Sequence, residues 1–189
     1  MDIKKICLIL LIGLFSCNKE VKKSINKIET EKTEVLEFEI VKPAELEKNV
    51  DDFFSNVSKI EIYAFTDRNF WDKIDNPDMY SFPYINGNEV KIKDKYLKNK
   101  VTLTNKQISK LQNGFKEGYY DYVAACYDPR HAIVVYDKND IIIGNIEICF
   151  DCNNASGSKN LSEIARSVLN QVDLFKEFGI TYFGEEENN

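Results

Sequence analysis

The amino-acid sequence predicts an α+β domain, a mainly antiparallel sheet with about three helices packed on it. Segments with helical and strand periodicity follow one another in the order helix, strand, long loop, strands, helix, strands, helix. Two β-rich segments late in the chain are separated by a polar turn, which is typical of a hairpin. The chain has 189 residues, 43% of them apolar, which is enough for one modest domain with its own core.

The late hairpin is the most β-rich part of the chain. Its arms, His131–Tyr136 and residues 141–149, are rich in Ile and Val, and residues 137–140 between them are Asp, Lys, Asn and Asp, which favour turns. The simplest register places Tyr136 opposite Ile141. Side chains then alternate between two faces. The face predicted to cover the core carries His131, Ile133, Val135, Ile142, Gly144, Ile146 and Ile148.

Periodicity also places the remaining elements. Strands are predicted at about 35–41, 58–65, 89–93, 100–103 and 119–127, the third and fourth forming a short pair. Helices are predicted at 43–56, at 105–115 and from Asn160 to Phe175. Thr104 precedes the middle helix as its N-cap and has Gln107 three residues later, which is the capping-box pattern. Residues 153–158 are expected to form a loop.

The long segment 66–88 has no clean period and is rich in aromatic residues. Aromatics among Asp and Asn can hold sugars by stacking and hydrogen bonding, and the candidate binding residues are Trp71, Tyr80, Phe82 and Tyr84. Large aromatic side chains are more often buried, so the favoured prediction is a satellite core beneath this loop.

Three cysteines and the only histidine of the chain cluster around the hairpin. Two of Cys126, Cys149 and Cys152 could form a disulfide and leave the third thiol buried or free. Alternatively, these three cysteines and His131 could bind zinc, which favours four such ligands. A redox dithiol at Cys149 and Cys152 is a third possibility, although no helix N-terminus follows directly to lower a thiol pKa. An acid–base cluster of His131 with Asp128, Arg130 or Glu147 is a further alternative. The predicted register does not decide among them.

The first seventeen residues predict export. Lys4 and Lys5 precede an apolar segment, residues 6–15, that is too short to span a bilayer and is followed by Ser16 and Cys17. This segment resembles the lipobox of bacterial lipoproteins, with Leu14 at −3, although Phe15 is unusual at −2. The resemblance implies cleavage before Cys17, diacylation of its sulfur and acylation of the new N-terminus, which anchors a protein stably. Asn18 is not the aspartate associated with inner-membrane retention in some bacteria, so the outer membrane is favoured.

The predicted organisation therefore has four parts. They are a signal peptide at 1–16, a polar flexible tether at 17–33, a globular domain at 34–184 and an acidic tail at 185–189.

Composition and motifs narrow the function classes. A net charge of −6 argues against a nucleic-acid partner. The sequence has no phosphate-binding loop, nucleophile elbow or zinc-protease motif. The chain has the pattern Cys-Tyr-x-Pro-Arg-x-Ala-Ile at residues 126–133 and Glu-Ile-Cys-Phe-x-Cys at residues 147–152. This pattern, within residues 119–155, resembles that of bacterial envelope lipoproteins that have no assigned activity. The favoured expectation is a non-catalytic domain that binds a protein or glycan partner. The alternatives are a metal- or thiol-dependent enzyme at the cysteine cluster and an envelope inhibitor or immunity protein.

Overall fold

A computed structural model describes residues 40–78 and 81–184 of the chain. The predicted signal peptide, Cys17, the tether, most of the first predicted strand, Tyr80 and the acidic tail lie outside the described residues.

An antiparallel five-stranded sheet organises the domain, which has mixed α+β architecture as predicted. The strands are β1 (Ile40–Val41), β2 (Lys59–Phe65), β3 (Ile85–Asn86), β4 (Glu89–Val90), β5 (Leu97–Thr102), β6 (Tyr119–Tyr120), β7 (His131–Tyr136), β8 (Ile142–Cys149) and β9 (Asn154–Gly157). The α-helices are α1 (Leu46–Phe54), α2 (Asn105–Phe115) and α3 (Val172–Glu177), and 3-10 helices lie at Arg68–Phe70 and Ala165–Asn170. The main sheet has the order β5-β2-β7-β8-β9, while β1 pairs with β6 and β3 with β4.

The β7–β8 hairpin forms, but its predicted register is wrong. Tyr136 pairs with Ile142 instead of Ile141, and a bulge between Tyr136 and Val135 displaces the pairing by one more residue, so that His131 pairs with Ile148. Most of the strand is displaced by two residues from the predicted register, and a shift of two keeps every side chain on its predicted face. The bulge reverses the alternation locally, so Ile142 packs on the face opposite to the predicted one.

One face of the sheet is covered by helices and the C-terminal segments. Ile133, Val135, Ile146 and Ile148 form part of this core, as predicted. Helix α2 begins with the predicted capping box, in which Thr104 and Gln107 bond each other's backbone N–H groups. Helix α1 buries Leu46, Val50 and Phe54 against the same core.

The other face of the sheet is also buried. The sequence predicted a half-buried hairpin and did not predict this second buried face. Residues 66–78 and 81–96 fold back over it and form a second, aromatic core. The buried members are Tyr63, Phe65, Trp71, Tyr84, Tyr96, Ala132, Val134 and Tyr136. The indole of Trp71 stacks on Tyr96 with ring centroids 4.5 Å apart. The satellite core expected beneath the loop is therefore present.

Four predicted elements differ from the structure. The last helix is a series of turns and a 3-10 helix before the short α3, although its apolar stripe is largely buried as expected. Residues 154–157, expected to be a loop, form edge strand β9. Strand β4 pairs with β3, whereas β5 pairs with β2 rather than with residues 89–93. Only the start of the predicted strand 119–127 is extended and paired.

No helix within residues 40–78 and 81–184 combines the length and the apolar character needed to cross a bilayer.

Candidate functional site

Three loops meet where β2 and β8 end and β7 begins. They comprise residues 66–78, 121–130 and 150–153, and we call this region the loop end. The loops are joined directly, because Asn69 Nδ2 donates to Asp128 Oδ1 and Arg130 pairs with Asp67 and Asp151. The backbone N–H of Ala124 donates to the carbonyl oxygen of Cys152 at 2.9 Å.

Arg68 fixes the first of these loops. Its guanidinium donates from Nη1 to the carbonyl oxygen of Ser81 at 2.9 Å, and from Nη2 to Asn76 Oδ1 at 2.5 Å and the carbonyl oxygen of Asp78 at 2.8 Å. Asn76 Nδ2 donates in return to the carbonyl oxygen of Arg68 at 2.8 Å. The arginine thus ties together several backbone positions of a segment with little regular structure.

Glu147 on β8 anchors Arg68 to the sheet. Its carboxylate accepts from Arg68 Nη1 at 2.7 and 2.8 Å, from the hydroxyl of Tyr84 at 3.1 Å and from that of Tyr127 at 3.2 Å. Burial raises the pKa of Glu147 above its ordinary value, and Arg68 and the two hydroxyls only partly oppose this effect. Burial and the adjacent carboxylate also raise the pKa of Tyr84. This network is not predictable from the sequence, because its members are far apart in the chain.

The cysteines adopt the first of the predicted arrangements. Cys126 and Cys152 form a disulfide with Cα atoms 5.6 Å apart, and Cys149 is a buried free thiol. Burial raises the pKa of the Cys149 thiol, although backbone N–H groups of Asp128 and Cys152 and the nearby Arg130 oppose it. In this state Cys149 and Cys152 are not bonded as a redox pair.

The structure brings together a different ligand set from the predicted zinc site. Among the described residues, the Sγ atoms of Cys126 and Cys152 and a carboxylate oxygen of Asp128 lie within 4.8 Å of one another. Neither Cys149 nor His131 belongs to this group. Asp128 was considered only as an acid–base partner of His131. Zinc binding by the chain stays a prediction.

His131 lies in an aromatic environment. Its Nε2–H donates to the carbonyl oxygen of Tyr182 at 2.8 Å, and the rings of Phe150, Phe175 and Phe183 surround it with centroids 5.0–6.1 Å away. Its Nδ1 is buried without a hydrogen-bond partner in the described part of the chain. Burial lowers the pKa of His131 from its ordinary value to about 4, so the imidazole is neutral at pH 7. This environment holds the C-terminal segment against the sheet.

The three residues proposed for sugar binding that the structure describes, Trp71, Phe82 and Tyr84, do not form an exposed platform. Trp71 and Tyr84 are buried, and Phe82 is partly buried against the same aromatic core. The solvent-facing large apolar residues of the loop end are instead Phe70, Ile74, Tyr122 and Val123. Phe70 and Ile74 are 79% and 86% exposed. The sequence does not indicate that Phe70 is exposed and Trp71 buried, since an irregular segment has no period that shows which side chains point outward.

The loop end is acidic. It carries seven aspartates, at positions 67, 72, 75, 78, 121, 128 and 151, against Lys73, Arg68 and Arg130. Arg68 is neutralised by Glu147, and two of the aspartates are paired with lysines that lie further along the chain. The region therefore presents apolar side chains within a predominantly negative surround.

A second polar cluster lies at the margin of the aromatic core, beside a cleft of about 660 Å³. Glu61 accepts from the hydroxyls of Tyr63 and Tyr136 at 2.5 and 2.7 Å and pairs with Lys100 at 2.9 Å. Burial would raise the pKa of Glu61, but these three donors outweigh it and lower the pKa below its ordinary value. The carboxylate therefore stays ionised, which suits a cross-strand tie better than a general base.

Comparisons of the chain with models of protein families, with curated proteins and with solved structures found no match. The function of the domain must therefore be inferred from the chemistry of its own residues.

Proposed function

We propose that the chain is a lipid-anchored protein of the bacterial cell envelope whose domain binds a protein partner through the loop end. The anchor is inferred from the apolar segment that precedes Ser16 and Cys17. The outer membrane is the favoured location because Asn18 follows the lipidated cysteine. The binding function is non-catalytic.

The observation that supports binding is the placement of exposed apolar side chains. Of the six large hydrophobic residues exposed in the described part of the chain, four lie at the loop end, namely Phe70, Ile74, Tyr122 and Val123. Grouped exposed apolar residues with a polar surround are typical of protein interfaces.

The loops that carry these side chains are held in place before any partner binds. Arg68 fixes the backbone at Asp78 and Ser81, and the Cys126–Cys152 disulfide fixes the segment that carries Tyr122 and Val123. A preformed surface loses less conformational entropy on association, so rigid support increases affinity. The aspartates of the loop end favour a partner with apolar residues flanked by Lys or Arg.

A pair of surface variants tests the binding surface. The tagged full-length chain and its Phe70→Ser/Ile74→Ser variant are crosslinked in the envelope of the producing bacterium, and their co-purifying proteins are quantified. Ile141→Ser is the matched control, since Ile141 is 48% exposed but lies at the opposite end of the β7–β8 hairpin. We expect one protein to be recovered with the wild type and the control and at least about tenfold less with the double variant.

Two results would count against the proposal. Equal recovery of every protein by the double variant would exclude these side chains as the binding surface. Recovery of glycan in place of protein, unchanged by the double variant, would favour the glycan alternative.

The anchor is tested separately, because Cys17→Ala should abolish incorporation of labelled fatty acid and release the chain from the membrane fraction.

A further inference from the structure

We infer that the reduced form of this chain has a binding site for a thiophilic divalent cation such as Zn²⁺, formed by Cys126, Asp128 and Cys152. This site differs from the set predicted from sequence, because it uses a carboxylate and includes neither His131 nor Cys149. The observations that support this site are separate from those that support partner binding.

The geometry of the three ligands carries the inference. The two sulfur atoms and the Asp128 oxygen lie within 4.8 Å of one another. Tetrahedral zinc with bonds of about 2.3 Å to sulfur and 2.0–2.2 Å to oxygen places its ligand atoms about 3.5–3.8 Å apart. Once the disulfide is open, small side-chain rotations are sufficient to reach this spacing, and the backbone need not move far.

The surroundings of the site resemble those of protein metal centres in two respects. Asn69 donates a hydrogen bond to the Asp128 carboxylate, and outer-shell donors of this kind orient a ligand and tune its affinity. Cys152 is buried while Cys126 is exposed, so one side of the site is supported by protein and the other is open to solvent. Three protein ligands with one side open leave a fourth position for water, as in zinc sites that keep an exchangeable ligand.

Besides the cation, conversion of the disulfide to the metal site requires one reagent, a dithiol reductant. It delivers two electrons and two protons, which break the Cys126–Cys152 bond and leave two thiols, and the reductant becomes its own disulfide. Each thiol then releases its proton to solvent as its sulfur binds the cation, so one bound ion displaces two protons. The oxidised chain has no thiolate at either position and cannot bind the ion in this way.

Titration of the reduced chain with Co²⁺ tests the site. The full chain carrying Cys7→Ala, Cys17→Ala and Cys149→Ala is purified in detergent, reduced, freed of reductant without oxygen and titrated. We expect one equivalent of Co²⁺ to produce a thiolate-to-cobalt absorption band in the near ultraviolet, which Zn²⁺ abolishes. The oxidised chain should produce no band.

Carboxylate variants on the same background identify the third ligand. Asp128→Ala should weaken binding by more than about tenfold, and Asn69→Ala by about tenfold through loss of the orienting hydrogen bond. Asp151→Ala is the matched control, because Asp151 is next to Cys152 but pairs with Arg130. It should bind Co²⁺ like the parent.

Several outcomes would overturn the inference. They are the absence of a cobalt band in the reduced parent, equal affinities of the Asp128 and Asp151 variants, or loss of native Trp71 fluorescence on reduction that metal does not restore. Trp71 is the only tryptophan of the chain and lies in the aromatic core, so its emission reports whether the reduced domain is folded.

Discussion

Arg68 and Glu147 form a buried ion pair, with Arg68 Nη1 2.7 Å from Glu147 Oε2 and neither side chain appreciably exposed to solvent. Glu147 lies on β8 in the interior of the sheet, whereas Arg68 lies in the loop that follows β2. The pair therefore fastens the aromatic segment to the sheet. Because both charges are withdrawn from water, each one depends on the other for solvation.

We expect Glu147→Gln to lower the free energy of unfolding by about 3–5 kcal/mol, the usual cost of leaving one partner of a buried pair uncompensated. The amide keeps the size of the side chain but leaves the guanidinium of Arg68 without its counter-ion. Urea denaturation followed by circular dichroism measures the change.

A double variant separates this cause from general disruption of packing. Arg68→Met/Glu147→Leu removes both charges. Its destabilisation should therefore be clearly smaller than the sum of the destabilisations caused by Arg68→Met alone and by Glu147→Leu alone. Glu89→Gln, in the exposed pair with Lys91, should leave stability unchanged. Additive effects in the double variant would contradict the role given to the pair.

The elements that sequence predicts well are those determined by neighbouring residues. Helix α2 begins at the predicted capping box, since Thr104 and Gln107 are only three positions apart. The β7–β8 register was wrong because Tyr136 pairs with Ile142 instead of Ile141 and a bulge beside Val135 adds a second residue of displacement, and no local pattern indicates either change. The last helix was wrong because a buried apolar stripe also suits a 3-10 helix and turns packed on a sheet.

The candidate site was only partly predictable for the same reason. Sequence placed the cysteines of the hairpin region near one another, but it could not choose between Cys149 and Cys152 as partners of Cys126. It also gave no indication that Arg68 would lie at the centre of the aromatic segment. The carboxylate partner of Arg68 is 79 positions later in the chain. A charged residue in a loop is also predicted to be exposed when burial is inferred from periodicity.

Stability should fall as pH decreases from about 6.5 to about 4, because His131 is buried in its neutral form. Burial lowers its folded-state pKa to about 4, with a smaller contribution from Arg130, whereas the Tyr182 carbonyl and Asp151 oppose the shift. In this window the unfolded chain takes up a proton that the folded chain does not. The loss is on the order of 3 kcal/mol, and above pH 6.5 this contribution is constant.

Denaturation of the wild type and of His131→Phe across pH 4–8 isolates this contribution from that of the carboxylates. The variant keeps an aromatic ring among Phe150, Phe175 and Phe183 but has no group that titrates. It should be less stable at pH 7, through loss of the hydrogen bond to Tyr182, and should show a shallower decline on acidification. An identical decline in both proteins would exclude His131 as the source.

The position immediately before strand β6 requires glycine, which is Gly118. Its φ of +90° is unfavourable for other residues, and an added Cβ would lie 2.4 Å from the carbonyl oxygen of Val41. We expect Gly118→Ala to cost about 2 kcal/mol or more. Gly87→Ala is the matched control, since Gly87 also has positive φ but its Cβ would meet no atom within 4 Å. It should cost only about 1 kcal/mol, and equal costs in urea denaturation would exclude the clash.

The Cys126–Cys152 disulfide should stabilise the domain by about 3.5 kcal/mol, the value that chain entropy gives for cysteines 26 positions apart. Cys126→Ala/Cys152→Ala should therefore lower the urea midpoint. It should also weaken recovery of the proposed partner, because Tyr122 and Val123 lie on the segment that the bond restrains. The wild type treated with reductant, without added metal, should lose the same stability, whereas the double variant should not respond to reductant. If reductant destabilises both proteins equally, its effect does not arise from this bond.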